Sequence, residues 1–153
     1  MRLLRHLASW GLALFLIAMF VQATLHPLPN PPEGQVKLFD LPGENIVFAT
    51  MADNTGIALL EPTGRFVVAI IELFTALLLL IPYSRRLGAV LSCLVLAGAV
   101  AAHLSPDILG REVPLSLQPN ETVTDGGQLF ALAIAMLTAT LLVLMIHPGK
   151  REN

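Results

Sequence analysis

Between Glu61 and Ser105 the chain reads EPTGRFVVAIIELFTALLLLIPYSRRLGAVLSCLVLAGAVAAHLS, two apolar runs separated only by Pro82-Tyr83-Ser84-Arg85-Arg86. At 1.5 Å per residue, runs over about residues 65–82 and 87–104 each cross a hydrocarbon layer of about 30 Å. Two such helices joined by a turn must lie antiparallel, and lipid is the solvent that accepts their apolar surface. Composition agrees: 55% of the 153 residues are hydrophobic and 13% charged, and the mean hydropathy is +0.73. These values lie well outside the range of soluble domains.

Two further runs complete the pattern. Residues 7–25 follow Arg2 and Arg5, and residues 128–146 precede a basic terminus. Positive flank, apolar centre and Val21-Gln22-Ala23 together also resemble a cleavable signal peptide, but the length favours a retained first span. The expected architecture is therefore an all-α membrane protein, a four-transmembrane-helix bundle forming one domain. Its outer loops would cover residues 26–64 and 105–127. In the first loop, Pro27, Pro29, Pro31 and Pro32 predict extended chain. Val36 to Leu41 reads as a short strand or an interfacial turn. Asn45 to Leu60 reads as a short interfacial helix, with Ile46, Phe48, Ala49, Ala52 and Ile57 on one side, although the pattern there does not separate helix from strand. In the second loop Asn120-Glu121-Thr122 matches the glycosylation triplet, a pattern short enough to arise by chance.

Charge sets the orientation. Arg2, Arg5, Arg85, Arg86, Lys150 and Arg151 gather at one set of ends, with Glu152 as the one acid among them. The long loops carry mostly acids. The positive-inside rule then predicts cytoplasmic N- and C-termini. The formal net charge of -2 and the lack of any Lys/Arg-rich run point away from nucleic acid. A single cysteine, Cys93, excludes an internal disulfide and dithiol chemistry. No catalytic residue and no metal-ligand spacing stands out.

Five polar residues are candidates for ligand or proton handling: Arg65, Glu72, His103, Asp125 and Gln22. Glu72 lies seven positions after Arg65, on about the same helix face. A charge at bilayer depth costs on the order of 2.5–3.5 kcal/mol, so Glu72 should face protein and be paired or protonated. Either it fixes helix packing through a hydrogen bond, or it carries protons or binds a ligand. Counting inward from the outer ends puts it level with Ala97-Gly98, Ala135 and Ala18-Met19, with Gln22 as its nearest polar partner from the first span. The pairs Ala97/Ala101, Gly98/Ala102, Ala131/Ala135 and Ala135/Ala139 have the small-xxx-small spacing of close helix packing. His103 and His26 fall near outer helix ends with Asp125. Interfacial histidines commonly bond water or a carboxylate, and a metal or haem site is the minority reading. Asp125-Gly126-Gly127 also suits a helix start, where free N–H groups welcome an acid.

Taken together and in order, Gly64-Arg65, Glu72-Leu73, Leu78-Leu79-Leu80-Ile81-Pro82, Leu87-Gly88-Ala89, Gly98-Ala99, His103-Leu104 and Asp125-Gly126-Gly127 resemble the DoxX-like family of small four-span membrane proteins. The resemblance covers roughly residues 10–147 and is strongest from Glu61 to Ser105. It implies that Arg65, Glu72, His103 and Asp125 are family positions. Family members resemble the small membrane subunit of an archaeal thiosulfate:quinone oxidoreductase, and others are linked to membrane oxidoreductase assemblies that handle thiol and oxidative stress. The chain departs from the pattern in two places. A lysine common soon after the first span is missing, the first lysine being Lys37, and the 107–124 loop is long.

Three functions of different class follow. One is a non-catalytic subunit or partner of a membrane redox complex, in a bacterial or archaeal cytoplasmic membrane, with quinone reached through the partner. Another is a transporter or binder of a small hydrophobic molecule such as a lipid or quinone. A purely structural assembly protein is a third. The sequence carries no cofactor motif, which weighs against electron transfer by this chain alone.

Overall fold

The computed structural model describes residues 2–30, 33–118 and 121–146. Pro31 and Pro32, Asn120 of the glycosylation triplet, and the basic residues Lys150 and Arg151 lie outside them. Five α-helices follow one another: α1 Arg2–Leu25, α2 Ile46–Thr55, α3 Thr63–Leu80, α4 Arg85–Leu104 and α5 Gln128–Ile146. All but α2 are long and apolar enough to cross a membrane. Contacts run α1 to α3, α3 to α4, α4 to α5 and α5 back to α1, a closed ring of four. The end that carries both long connections is the loop end, and the opposite one the terminal end.

The bundle is built for an apolar solvent. Ile70, Phe74, Leu77, Leu87, Leu94 and Leu141 point outward, while Ser9, Thr24, Thr75, Ser92 and Thr140 are buried. The inner core is Leu16, Phe20, Leu79, Leu96, Met136 and Val143, with Ala76, Ala89 and Ala139 between them. Ser92 Oγ and Thr140 Oγ1, 2.8 Å apart, bond α4 to α5, the polar link between helices that lipid cannot replace.

The small residues lie elsewhere than their spacing predicts. Ala97, Gly98, Ala101, Ala131 and Ala135 are exposed, and only Ala102 and Ala139 of the proposed pairs are buried. In a helix apolar all round, spacing cannot tell the packed face from the lipid face. The tight crossing is at Gly88, where an added Cβ would stand 2.8 Å from the Leu79 nitrogen. There the α3–α4 turn forces two backbones together. Ser84 Oγ secures that turn by donating to the Leu78 carbonyl at 3.0 Å, and α4 starts at Arg85 rather than 87.

At the loop end, α1 stops early. Pro27 disfavours helix at the residue before it, and His26 takes a φ of 45°. Thr24, almost the last residue of α1, is therefore level with Glu72, nine residues inside α3, or roughly 13 Å in. Counting equal depth from helix ends fails for this reason. The space above α1 is filled by chain that turns back. Lys37 N–H and Leu38 N–H donate to the carbonyls of Ala23 and Thr24, at 3.5 and 3.1 Å. They satisfy carbonyls that a helix end leaves open. Residues 36–40 form a turn and not a strand, with Asp40 N–H bonded to the Val36 carbonyl at 3.0 Å. Helix α2 is capped by Asn45 and ends at the left-handed Gly56. Its Ile46 packs with Ala102, Leu109 and Val113. Ile57 falls beyond the helix and is exposed.

Candidate functional site

Lys37 is the centre of the buried polar site. Its ammonium bonds both oxygens of Glu72, each at 2.9 Å, and Thr24 Oγ1 donates to Glu72 Oε2 at 2.8 Å. The carboxylate thus has three hydrogen bonds in a setting where its side chain is 8% exposed and that of Lys37 18%. Lys37 also caps the C-terminal end of α1, where the helix dipole favours a cation. The other end of the same residue is held by Arg65. Its Nη1 donates to the Lys37 carbonyl and its Nη2 to the Asp40 carbonyl at 3.0 Å. Nε lies 3.0 and 2.8 Å from the two oxygens of Glu61. Its guanidinium covers the Phe66 ring at 4.5 Å from the centroid. Arg65 is fully buried, with each nitrogen used. A planar fork suits this task better than an ammonium would.

Arg65 and Glu72 do share a face, but they do not pair with each other. Each takes one end of Lys37, and the Arg65 counter-ion is Glu61, one turn away. The span-one partner of Glu72 is Thr24 and not Gln22, which lies half-buried and accepts the His26 N–H through its carbonyl at 3.1 Å. Loop lysines usually mark solvated surface, and nothing in the sequence connects Lys37 to a carboxylate 35 positions on. The one available signal is that Lys37 is the first lysine of the chain, set in a loop otherwise rich in acids.

His103 and Asp125 belong to a second arrangement at the same end. His103 Nδ1–H donates to the Gly110 carbonyl at 2.8 Å, and its ring sits 5.6 Å from that of Phe130. Asp125 accepts N–H bonds from Val113 at 2.8 Å, Gly127 at 2.9 Å and Leu129 at 2.8 Å. It thereby ties the 105–127 connection to the start of α5. Burial pushes its carboxyl pKa up. The three N–H bonds and the nearby His103 charge outweigh that, and the net pKa lies below the usual carboxylate value. Among the described residues no three of His, Cys, Asp and Glu gather in a way that could hold a metal ion.

One charge that the sequence marks only as a sign of topology is buried. Arg85 is 1% exposed, lies over the Trp10 ring at 3.8 Å from its centroid, and donates from Nε to the Leu79 carbonyl at 2.9 Å. The single tryptophan of the chain is the available hint, because arginine stacks on indole. Comparison of the chain with protein-family models, with curated proteins and with solved structures returns no match.

Proposed function

We propose that this chain is a non-catalytic membrane subunit that presents a rigid outer platform to a partner, and that the partner is a quinone-linked redox complex of a bacterial or archaeal cytoplasmic membrane. The loop end is the outer side. Arg2, Arg5, Arg85 and Arg86 at the opposite end support that orientation, because basic residues flanking spans stay cytoplasmic. The observation that carries the reading is the two-ended grip on Lys37. A catalytic acid or a ligand anchor must be reachable by what it acts on. Glu72, Arg65 and Lys37 instead satisfy one another and fix the first loop to the bundle. The redox assignment rests on the DoxX-like resemblance, and any quinone chemistry is the partner's.

Purification from native membranes in mild detergent, with identification of the proteins and small molecules that accompany the chain, tests this. A cofactor-bearing oxidoreductase recovered with the wild type and lost with Lys37→Ala is the expected result. A bound lipid or quinone with no protein partner would overturn it in favour of a small-molecule binder.

A further inference from the structure

A groove of about 710 Å³ opens at the loop end between the 33–46 segment and residues 115–118. We infer that it docks a short cationic segment of an outer-side protein, one that carries large apolar side chains between its lysines or arginines. The inference rests on the proposed function in taking the occupant to be a protein and the loop end to be the outer side.

Three observations lead to this occupant. The first is size: an open groove of about 710 Å³ has room for a few side chains of an extended segment. The second is the apolar lip. Phe39 is 67% exposed, Leu41 63%, Leu115 45% and Leu117 42%. All four line the groove and lie in the connections, outside the helices that span. Grouped apolar side chains of this kind mark contact surfaces more often than scattered ones do.

The third is charge. Glu33 and Glu44 share the lining and are exposed, and among the described residues neither has an ion-pair partner. Asp40 is already bonded by Val36 N–H at 2.8 Å and Asn45 Nδ2 at 2.7 Å. The cations that would balance this region are turned inward: Lys37 goes to Glu72 and Arg65 to Glu61. The site that locks the loop therefore also strips its outer surface of positive charge. An acyl chain would gain nothing from Glu33 and Glu44, and an anionic headgroup would be repelled. A cation-flanked apolar segment satisfies both the lip and the carboxylates, and like-signed partners are rejected.

The test uses the full chain in nanodiscs of phosphatidylcholine. The probe is a fluorescein-labelled, amidated peptide alternating lysine with phenylalanine and leucine, and its binding is read by anisotropy. Peptides with glutamate for lysine, or glycine for the apolar residues, are the controls, as are empty discs. Saturable binding that weakens as salt is added is expected, with affinity falling about tenfold or more in Glu33→Gln/Glu44→Gln and in Phe39→Ser/Leu117→Ser. Asp53→Asn, an exposed acid off the groove, should leave it unchanged. Equal binding by empty discs, by the glutamate peptide or by the groove variants overturns the inference. So does a wild-type dimer that Phe39→Ser/Leu117→Ser dissociates, which would make the groove a contact between copies. Peptide binding without any co-purifying oxidoreductase would leave the groove standing and sink the redox assignment; the converse would do the reverse.

Discussion

Lys37 answers two demands at once. Its carbonyl and ammonium are taken by different residues of α3, so its position is fixed along its whole length. An ion pair removed from water gains little over well-packed apolar groups, whereas breaking one leaves a buried charge and costs about 3–5 kcal/mol. The 18% exposure of the Lys37 side chain argues for the lower end of that range. Lys37→Met should therefore destabilise the protein by about 3 kcal/mol, and Glu72→Leu by a similar amount. The double variant should recover much of the loss, because no charge is left unpaired. Thermal unfolding of all four proteins in the same detergent measures this. Additive losses would mean that the pair is not coupled. Glu72→Gln, which keeps two acceptor or donor sites but no charge, should fall between wild type and Glu72→Leu.

Among the elements, α1 and α5 are terminated in contrasting ways at the loop end. α1 stops at a proline, and its open carbonyls are met by a returning loop. The α5 start is met by one carboxylate, Asp125, which takes three N–H groups. Leaving a buried N–H without its acceptor costs about 1–3 kcal/mol, so Asp125→Ala, which removes the acceptor of the Val113, Gly127 and Leu129 N–H groups, should destabilise by at least about 1 kcal/mol. The depressed folded-state pKa fixes the sign of the pH dependence. The stabilisation is fully present above the unfolded value of about 3.9 and is lost as pH falls through the lower folded value. Unfolding temperature should therefore drop on acidification below about pH 4, with a shallower slope in Asp125→Asn, which cannot titrate. Identical slopes would show that other groups dominate.

For the molecule as a whole, the charge asymmetry between the two ends of the four-helix ring predicts a topology. On a Cys93→Ser background, Ser84→Cys should be labelled from the cytoplasmic side only, and Asp107→Cys from outside. External labelling at position 84 would reverse the orientation. The four spans, their order, α2 and the start of α5 were all legible in the chain, because 18-residue apolar runs and proline or glycine breaks are local signals. Glu72 was also recognisable as a residue that must face protein, since the penalty for a charge in lipid does not depend on its partner. Its partner was not recognisable. Lys37 and Thr24 reach it because α1 ends roughly 13 Å deeper than α3 begins, and relative helix offset is set by packing between helices. The outward turn of Ala97, Ala101, Ala131 and Ala135 has the same origin. In lipid both faces of a helix are apolar, so which one packs depends on side-chain fit across the bundle rather than on hydrophobic pattern.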